Sequence, residues 1–257
     1  MTPYFARILR WGRNMPGTGG SSRNDRSHQL DTFLRAQDLD VLGKVRHQLH
    51  SLTESETARL ARVITGWKDP QAVANLLFHP EVIPEDLRFG ALARALRSTD
   101  VPYFQLAATV GMQGMPQTSV PEEHRQSFAD SLVGFLGSRT NVLASRASVT
   151  LFGWSQEQAS DDLLIRMLAA VSVEDDTLSR NVFAAVLARH GKDTPQEFEG
   201  HTAQWDIPQP ARTALLASHR EYLELTARGE RRGKFMTSPL FSYIPNLSEF
   251  RGSTTDG

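Results

Sequence analysis

Histidines and carboxylates are the residues of this 257-residue chain that could carry chemistry. His47 and His50 are three positions apart on an expected helix, so both could face one way, as metal ligands do. Glu54, the nearest carboxylate, lies at the start of the next expected helix, and the His-Glu-x-x-His zinc pattern does not occur. We interpret the two histidines as an exposed polar face, and we expect no metal site and no cofactor.

Pairs of adjacent acids are the other candidates, because two carboxylates can share the roles of general acid and general base. The pairs are Glu122–Glu123, Asp161–Asp162 and Asp175–Asp176. Each stands at an expected helix start, where unpaired backbone N–H groups stabilise negative charge. We interpret the pairs as helix caps and expect no catalytic residue.

Known nucleotide and nucleophile motifs do not occur in the sequence. The glycine-rich stretch from Gly111 to Gln117 follows an expected helix rather than a strand, so we interpret it as a loop. The chain has no cysteine, which excludes disulfides, thiolate metal sites and a cysteine nucleophile.

Amphipathic helices are the elements that position these side chains. Apolar residues recur at helical spacing from about Leu52 to Arg228, between turns marked by proline or glycine. This pattern predicts about ten helices in an all-α fold. Expected signals are a capping box at Thr53–Glu56, a cap at Ser155–Gln158, a stop at Gly191, a turn-rich stretch with Pro195 and Pro208, and a last helix from about Pro210 to Arg228 closed by Gly229.

Three segments share a spelling in which an arginine precedes small and aliphatic residues. They are Asp86–Leu92, Leu143–Val149 and Leu178–Ala184, with the arginines at Arg88, Arg146 and Arg180. Residues of about 54–191 therefore resemble HEAT/armadillo-type helical repeats. The resemblance implies a HEAT-like solenoid whose stacked hairpins bury one another and present one curved face to a partner. An irregular multi-helix bundle is the alternative fold.

Charge and composition divide the chain into three parts. We predict a basic amphipathic segment with a flexible linker at 1–27, an all-α helical body at 28–228, and a basic, aromatic, extended tail at 229–257. Residues 1–28 carry five arginines and one acid, residues 29–227 carry 18 bases and 25 acids, and residues 228–257 carry five bases and three acids. An acidic body is a poor match for nucleic acid, whose binding depends on accumulated cationic contacts.

The N-terminal segment separates its residues on a helical wheel. One side carries Tyr4, Phe5, Ile8, Leu9 and Trp11, and the other carries Arg7, Arg10 and Arg13. Three interpretations stay open: a mitochondrial transit peptide within residues 1–25, an interfacial helix on anionic lipid, or a segment that docks on the body or on a partner.

The C-terminal tail combines Arg231 and Arg232 with aromatic residues and two helix-opposing prolines. It is interpreted either as an extended segment packed along the helices or as a docking peptide for a partner's groove.

Together these features predict a non-enzymatic scaffold for protein–protein interactions, or an accessory subunit of a larger assembly. Its expected partner-binding residues are Arg7, Arg10, Trp11, Arg13, Arg231, Arg232, Phe235, Phe241 and Tyr243. We expect protein partners, a membrane surface as a second partner of the N-terminal helix, and an intracellular, cytoplasmic location, or a mitochondrial one if a transit peptide is cleaved. The alternative functions are a HEAT-like nucleic-acid-acting protein similar to some DNA glycosylases, and a helical enzyme whose residues meet only in space.

Overall fold

The computed structural model describes residues 23–47, 49, 52–138, 141–174, 176–229 and 247. Within these residues the chain forms twelve α-helices and two short 3₁₀ turns, and it forms no strand. The predicted all-α fold is therefore confirmed. Among the described helices, none combines the length and the apolar character that a membrane crossing needs.

The helices are joined by short connections. They are α1 (Arg23–Arg35), α2 (Leu39–Arg46), α3 (Glu54–Gly66), α4 (Pro70–Phe78), α5 (Glu85–Leu96), α6 (Pro102–Gly111), α7 (Glu122–Leu136), α8 (Asn141–Glu157), α9 (Asp162–Ala170), α10 (Asp176–His190), α11 (Pro195–Ala203) and α12 (Gln209–Ala227). The 3₁₀ turns are Pro80–Val82 and Gln117–Ser119.

Packing arranges most of these helices in two rows. Helices α4, α6, α8, α10 and α12 pack one against the next, and helices α3, α5, α7 and α9 form the second row. Hairpin partners α5–α6, α7–α8 and α9–α10 join across the rows, α11 packs against α12, and α1 packs against α4. The body is thus a stacked array of helical hairpins, while its membership of the HEAT family stays a prediction.

The core runs between the rows and depends on close helix contacts. All residues from Ala72 to Phe78 on α4 are buried, because α4 packs against helices on several sides. Gly111 ends α6 directly against this helix: a Cβ atom at Gly111 would lie 2.0 Å from the carbonyl oxygen of Leu77. Only a residue without a side chain permits this approach.

Arginines bind the connections between helices. In three helices a proline is the N-cap residue, offers no side-chain cap, and is followed four residues later by an arginine: Pro84/Arg88, Pro121/Arg125 and Pro208/Arg212. Each arginine folds back onto the preceding connection: Arg88 Nε donates to Pro80 O at 2.8 Å, Arg125 Nε to Val120 O at 2.8 Å, and an Arg212 terminal nitrogen to Thr202 O at 2.6 Å. The guanidinium group thereby adds a side-chain donor to carbonyl oxygens at the turns, of which Pro80 O and Thr202 O also accept a backbone N–H group.

Trp67 ends α3 in an unusual backbone conformation. Its φ of 54° lies in the left-handed region, which a residue other than glycine rarely adopts. The ring compensates through its contacts, because Arg94 Cζ lies 4.3 Å from the ring centroid and Phe104 meets it edge-on at 5.2 Å. These contacts join α3 to α5 and α6.

Several predicted boundaries hold. The capping box at Thr53 and Glu56 is confirmed, since Glu56 N–H donates to Thr53 and Thr53 N–H donates to Glu56. Helix α10 ends at His190, immediately before Gly191. Gly229 follows α12 with a φ of +69°, as a helix stop requires.

Two local predictions are wrong. Ser155 does not cap a helix: α8 continues to Glu157, and the Ser155 side chain is buried with its hydroxyl on Phe152 O. The stretch with Pro195 is not simply turn-rich, because Thr194 and Glu197 form a second capping box that starts α11. The sequence pattern indicated a turn at Pro195, whereas proline at the first helical position favours a helix start.

Most of both ends lies outside the described residues, including the segment 1–22 and the tail 230–246. Leu247 is described, and its side chain packs against the hydrophobic core.

Replacing Gly111 with alanine is expected to destabilise the protein by about 2 to 3 kcal/mol, because the new methyl group overlaps the carbonyl of Leu77. Gly90 on α5 is the matched control, since a Cβ there meets nothing within 4 Å, and Gly90→Ala should stabilise the helix by roughly 0.5 to 1 kcal/mol. Urea unfolding monitored by circular dichroism measures the free energy of unfolding of both variants. Equal effects of the two variants would contradict the tight α4–α6 contact.

Asp31→Asn should lower the free energy of unfolding by a small amount that depends on pH. A hydrogen bond and the charge of Arg59 hold the pKa of Asp31 below its usual value. The pair joins α1 to α3 but is 40% and 36% exposed, so it contributes at most about 1 kcal/mol. Because the folded-state pKa is the lower one, this contribution is complete above the ordinary pKa of about 3.9 and disappears as the pH falls through the folded value.

Urea unfolding of the wild type and of Asp31→Asn at pH 7 and pH 3 tests this, with the exposed Asp206→Asn as the control for loss of charge alone. A wild-type advantage over Asp31→Asn that is the same at both pH values would refute the linkage.

Candidate functional site

Histidines and carboxylates meet where α10 ends and α11 begins. The Oδ2 atom of Asp193 lies 3.3 Å from Nδ1 of His190 and 3.1 Å from Nδ1 of His201. On its other side, Nε2 of His190 lies 3.1 Å from each carboxylate oxygen of Asp161. We call His190, Asp193, His201 and Asp161 the His–Asp cluster.

Local sequence brings the cluster together. Gly191 follows His190 and lies close to α12, since a Cβ there would be 2.7 Å from Tyr222 Cε1. The connection between α10 and α11 contains only four residues, and the capping box at Thr194 directs α11 back past the end of α10. The seventh residue of α11, His201, therefore comes to lie beside Asp193.

Arg189 orients Asp161. One of its terminal nitrogens donates to Asp161 Oδ1 at 2.7 Å and to the carbonyl of Ser160 at 2.6 Å. Its other terminal nitrogen donates to the carbonyls of Ser155 and Gln158. Burial raises the pKa of Asp161, but hydrogen bonds from Arg189 and His190 outweigh it and hold that pKa below its usual value. Asp161 therefore carries negative charge at neutral pH.

Aromatic residues form the wall behind the cluster. The Trp205 ring meets the His190 ring edge-on at 5.8 Å, and Trp205 itself is 7% exposed. Nearby, the buried His219 ring stacks on Phe198 with a centroid distance of 3.8 Å. Burial lowers the pKa of His219, while the charge and backbone of Asp193 act in the opposite direction.

The arrangement can bind a cation or pass a proton. His190, Asp193 and His201 each offer one ligand atom, and these atoms lie within 4.8 Å of one another. The order Arg189, Asp161, His190, Asp193, His201 alternates N–H groups with carboxylates. His201 is the member of this series that contacts solvent most, because its side chain is 55% exposed.

A second candidate lies at the N-terminal end of the array. An open cleft of about 420 Å³ is lined by Arg46, His47, Leu49, Leu52, Glu81 and Val82. Arg46 bridges to Glu81 at 3.1 Å across its rim. Burial raises the pKa of Glu81, but a hydrogen bond with His79, one from its own backbone, and the charges of His79 and Arg46 outweigh it and hold that pKa below its usual value.

Apolar side chains line this cleft and precede it along α2. Val41 is the most exposed large hydrophobic side chain among the described residues, at 38%. Val45 lies one helical turn further along α2, and Leu49 and Leu52 line the cleft; all three are partly buried and also pack against the hydrophobic core. We call Val41, Val45, Leu49 and Leu52 the α2 patch.

No family model, no curated protein and no solved structure matches the chain.

The sequence-predicted site residues have different outcomes. His47 is exposed at the cleft, whereas His50 lies outside the described residues. The same holds for every expected partner-binding residue: Arg7, Arg10, Trp11, Arg13, Arg231, Arg232, Phe235, Phe241 and Tyr243 all lie outside the described residues.

One expected cap is wrong. Asp161 occupies the N-cap position of α9 but makes no side-chain capping hydrogen bond, because its carboxylate binds Arg189 and His190 instead. Glu122 and Glu123 do lie in the first turn of α7, as predicted. Asp175 lies outside the described residues.

Sequence reasoning missed the His–Asp cluster, although a signal exists. His190 and Asp193 are three positions apart across a glycine, and His201 follows within the next helix. Treating 192–208 as turns hid this relation, because only a helix starting at Pro195 returns His201 to Asp193.

Arg189→Ala is expected to destabilise the protein by about 2 to 3 kcal/mol, because it removes the donor of three carbonyl oxygens and leaves Asp161 with His190 alone, in a partly buried place. The matched control is Arg166→Ala, which breaks the more exposed pair with Asp130 and should cost less than about 1 kcal/mol. Chemical denaturation compares the two. Similar losses in both variants would show that Arg189 is an ordinary surface arginine.

Proposed function

We propose that this protein is a non-enzymatic interaction scaffold, or an accessory subunit of a larger assembly, that binds a protein partner at the α2 patch. The supporting observations are the open cleft of about 420 Å³, lined in part by Leu49 and Leu52, and the exposed side chain of Val41 on the helix that precedes it. The stacked hairpins, whose turns accept hydrogen bonds from arginine side chains, hold this surface in place.

The chemistry of the cleft suits a protein segment. Leu49, Leu52 and Val82 provide apolar area, while Arg46 and Glu81 provide a charged pair at the edge. An apolar centre with a polar rim is the usual anatomy of a protein interface, in which an aromatic or aliphatic anchor fills the centre. We expect the partner to insert such an anchor next to Val41.

Arginine usage favours a protein partner over nucleic acid. The guanidinium groups of Arg88, Arg125 and Arg212 donate to backbone carbonyls, and that of Arg189 donates to carbonyls and to Asp161. Those of Arg46, Arg59 and Arg166 bind carboxylates. Cations engaged in this way contribute little to phosphate binding, which requires many available positive charges.

The two ends extend the proposed interface. The basic amphipathic segment with Arg7, Arg10, Trp11 and Arg13 and the aromatic tail with Phe235, Phe241 and Tyr243 are further contacts for the same assembly. The proposed location is the cytoplasm. Sequencing the first residue of the mature protein separates this location from a mitochondrial one, in which processing would remove most of residues 1–25.

Val41→Glu should disrupt the interface, because it places a charge on the apolar surface that the partner must desolvate. The full chain is expressed at its natural level, chemically crosslinked in cells and purified. We expect at least tenfold less partner protein to be recovered with Val41→Glu than with the wild type. Crosslinks between the partner and residues around Lys44 should disappear together with the recovery.

Ala58→Glu is the matched control, because it adds the same charge to an exposed position of α3. It should leave both recovery and crosslinks unchanged. Equal recovery with both variants would rule out the α2 patch as the binding surface, and a chain without any crosslinked partner would contradict the scaffold function itself.

A further inference from the structure

We propose that His190, Asp193 and His201 form a binding site for a divalent metal ion of the zinc class. The inference is independent of partner binding at the α2 patch. It rests on the separation of the donor atoms, on the partners behind them and on the access from solvent.

The donor spacing fits a tetrahedral ion. With bonds of about 2.0 to 2.2 Å, two ligand atoms of a tetrahedral zinc ion lie roughly 3.3 Å apart. Asp193 Oδ2 is 3.3 Å from Nδ1 of His190 and 3.1 Å from Nδ1 of His201. All three ligand atoms lie within 4.8 Å of one another, and His201, the more exposed of the two rings, is the side chain that would adjust to close the set.

A carboxylate supports the first histidine from behind. Nε2 of His190, the nitrogen that faces away from Asp193, lies 3.1 Å from both oxygens of Asp161. Such a carboxylate fixes the tautomer of a ligating histidine and makes its free nitrogen a stronger donor. Arg189 in turn fixes Asp161, and Trp205 fixes the plane of the His190 ring.

The open side gives access to the metal. His190 and Asp193 side chains are 15% and 26% exposed, whereas His201 is 55% exposed. Three protein ligands with solvent on the fourth side leave one position for water or for another donor. Two imidazole nitrogens and one carboxylate favour zinc and its neighbours over calcium and magnesium, which prefer sets of oxygen ligands.

Binding would fix the C-terminal part of the array. The three ligands come from the end of α10, the connection after it, and α11. An ion that binds only when these elements are in place stabilises the folded state by mass action. The metal would thus act as a clamp between α10 and α11.

The direct test is titration of the full chain, first treated with chelator and desalted, with zinc chloride. Calorimetry should give one ion per chain, and magnesium in large excess should not compete. With zinc at 100 times its dissociation constant, the melting temperature should rise by about 5 to 10 °C. Failure to bind zinc, or competition by magnesium, would overturn the proposal.

Variants localise the site. His201→Ala should abolish the stoichiometric binding without changing the zinc-free melting temperature much, because the side chain is more than half exposed. Asp161→Asn should weaken binding about 10- to 100-fold, as expected for a carboxylate that supports a ligand. His28→Ala, at an exposed histidine on α1, is the control and should bind like the wild type.

His201→Gln keeps the size and polarity of the side chain and serves as the second variant if His201→Ala fails to fold. Loss of binding in a folded His201 variant, with retention in His28→Ala, supports the site. Unchanged zinc affinity in a folded His201 variant contradicts it.

Discussion

Every helix leaves carbonyl oxygens without an intrahelical partner at its end, and the twelve helices of the described residues, with their short connections, accumulate many of them. Arginine side chains donate hydrogen bonds to carbonyl oxygens at several of these ends and turns. Arg88, Arg125 and Arg212 each reach back across the connection before their own helix, and Arg189 reaches across from α10. Pairing these oxygens allows the turns to pack closely, which in turn lets the hairpins stack and bury their apolar sides.

The same constraint explains part of the amino-acid usage. Of the 28 basic residues, 24 are arginine. A lysine presents a single ammonium group, whereas a guanidinium group can donate to two or three carbonyls in fixed directions. The spacing Pro-x-x-x-Arg at 84–88, 121–125 and 208–212 was therefore a more informative repeat than the arginine-led spellings around Arg146 and Arg180, because it marks a bond at a turn.

The fold class and most helix starts could be predicted from the sequence, since helical periodicity, proline at a first turn and the Thr53 capping box are local signals. The His–Asp cluster could not be predicted in the same way. Asp161 has the position of a cap, and only the packing of α10 against the α8–α9 connection presents Arg189 and His190 to it. The cleft beside α2 could not be predicted either, because Glu81 and Val82, which line it together with Leu49 and Leu52, come from a later segment of the chain.

The ring of Trp67, at the left-handed end of α3, couples this helix to two later ones when the array unfolds locally. That ring is shared by Arg94 on α5 and Phe104 on α6, so the end of α3 cannot leave its place without releasing contacts of two later helices. A stack of hairpins could otherwise fray one unit at a time from its end. Trp67 instead makes α3, α5 and α6 a single cooperative unit in local unfolding, whose amide hydrogens would exchange with solvent together.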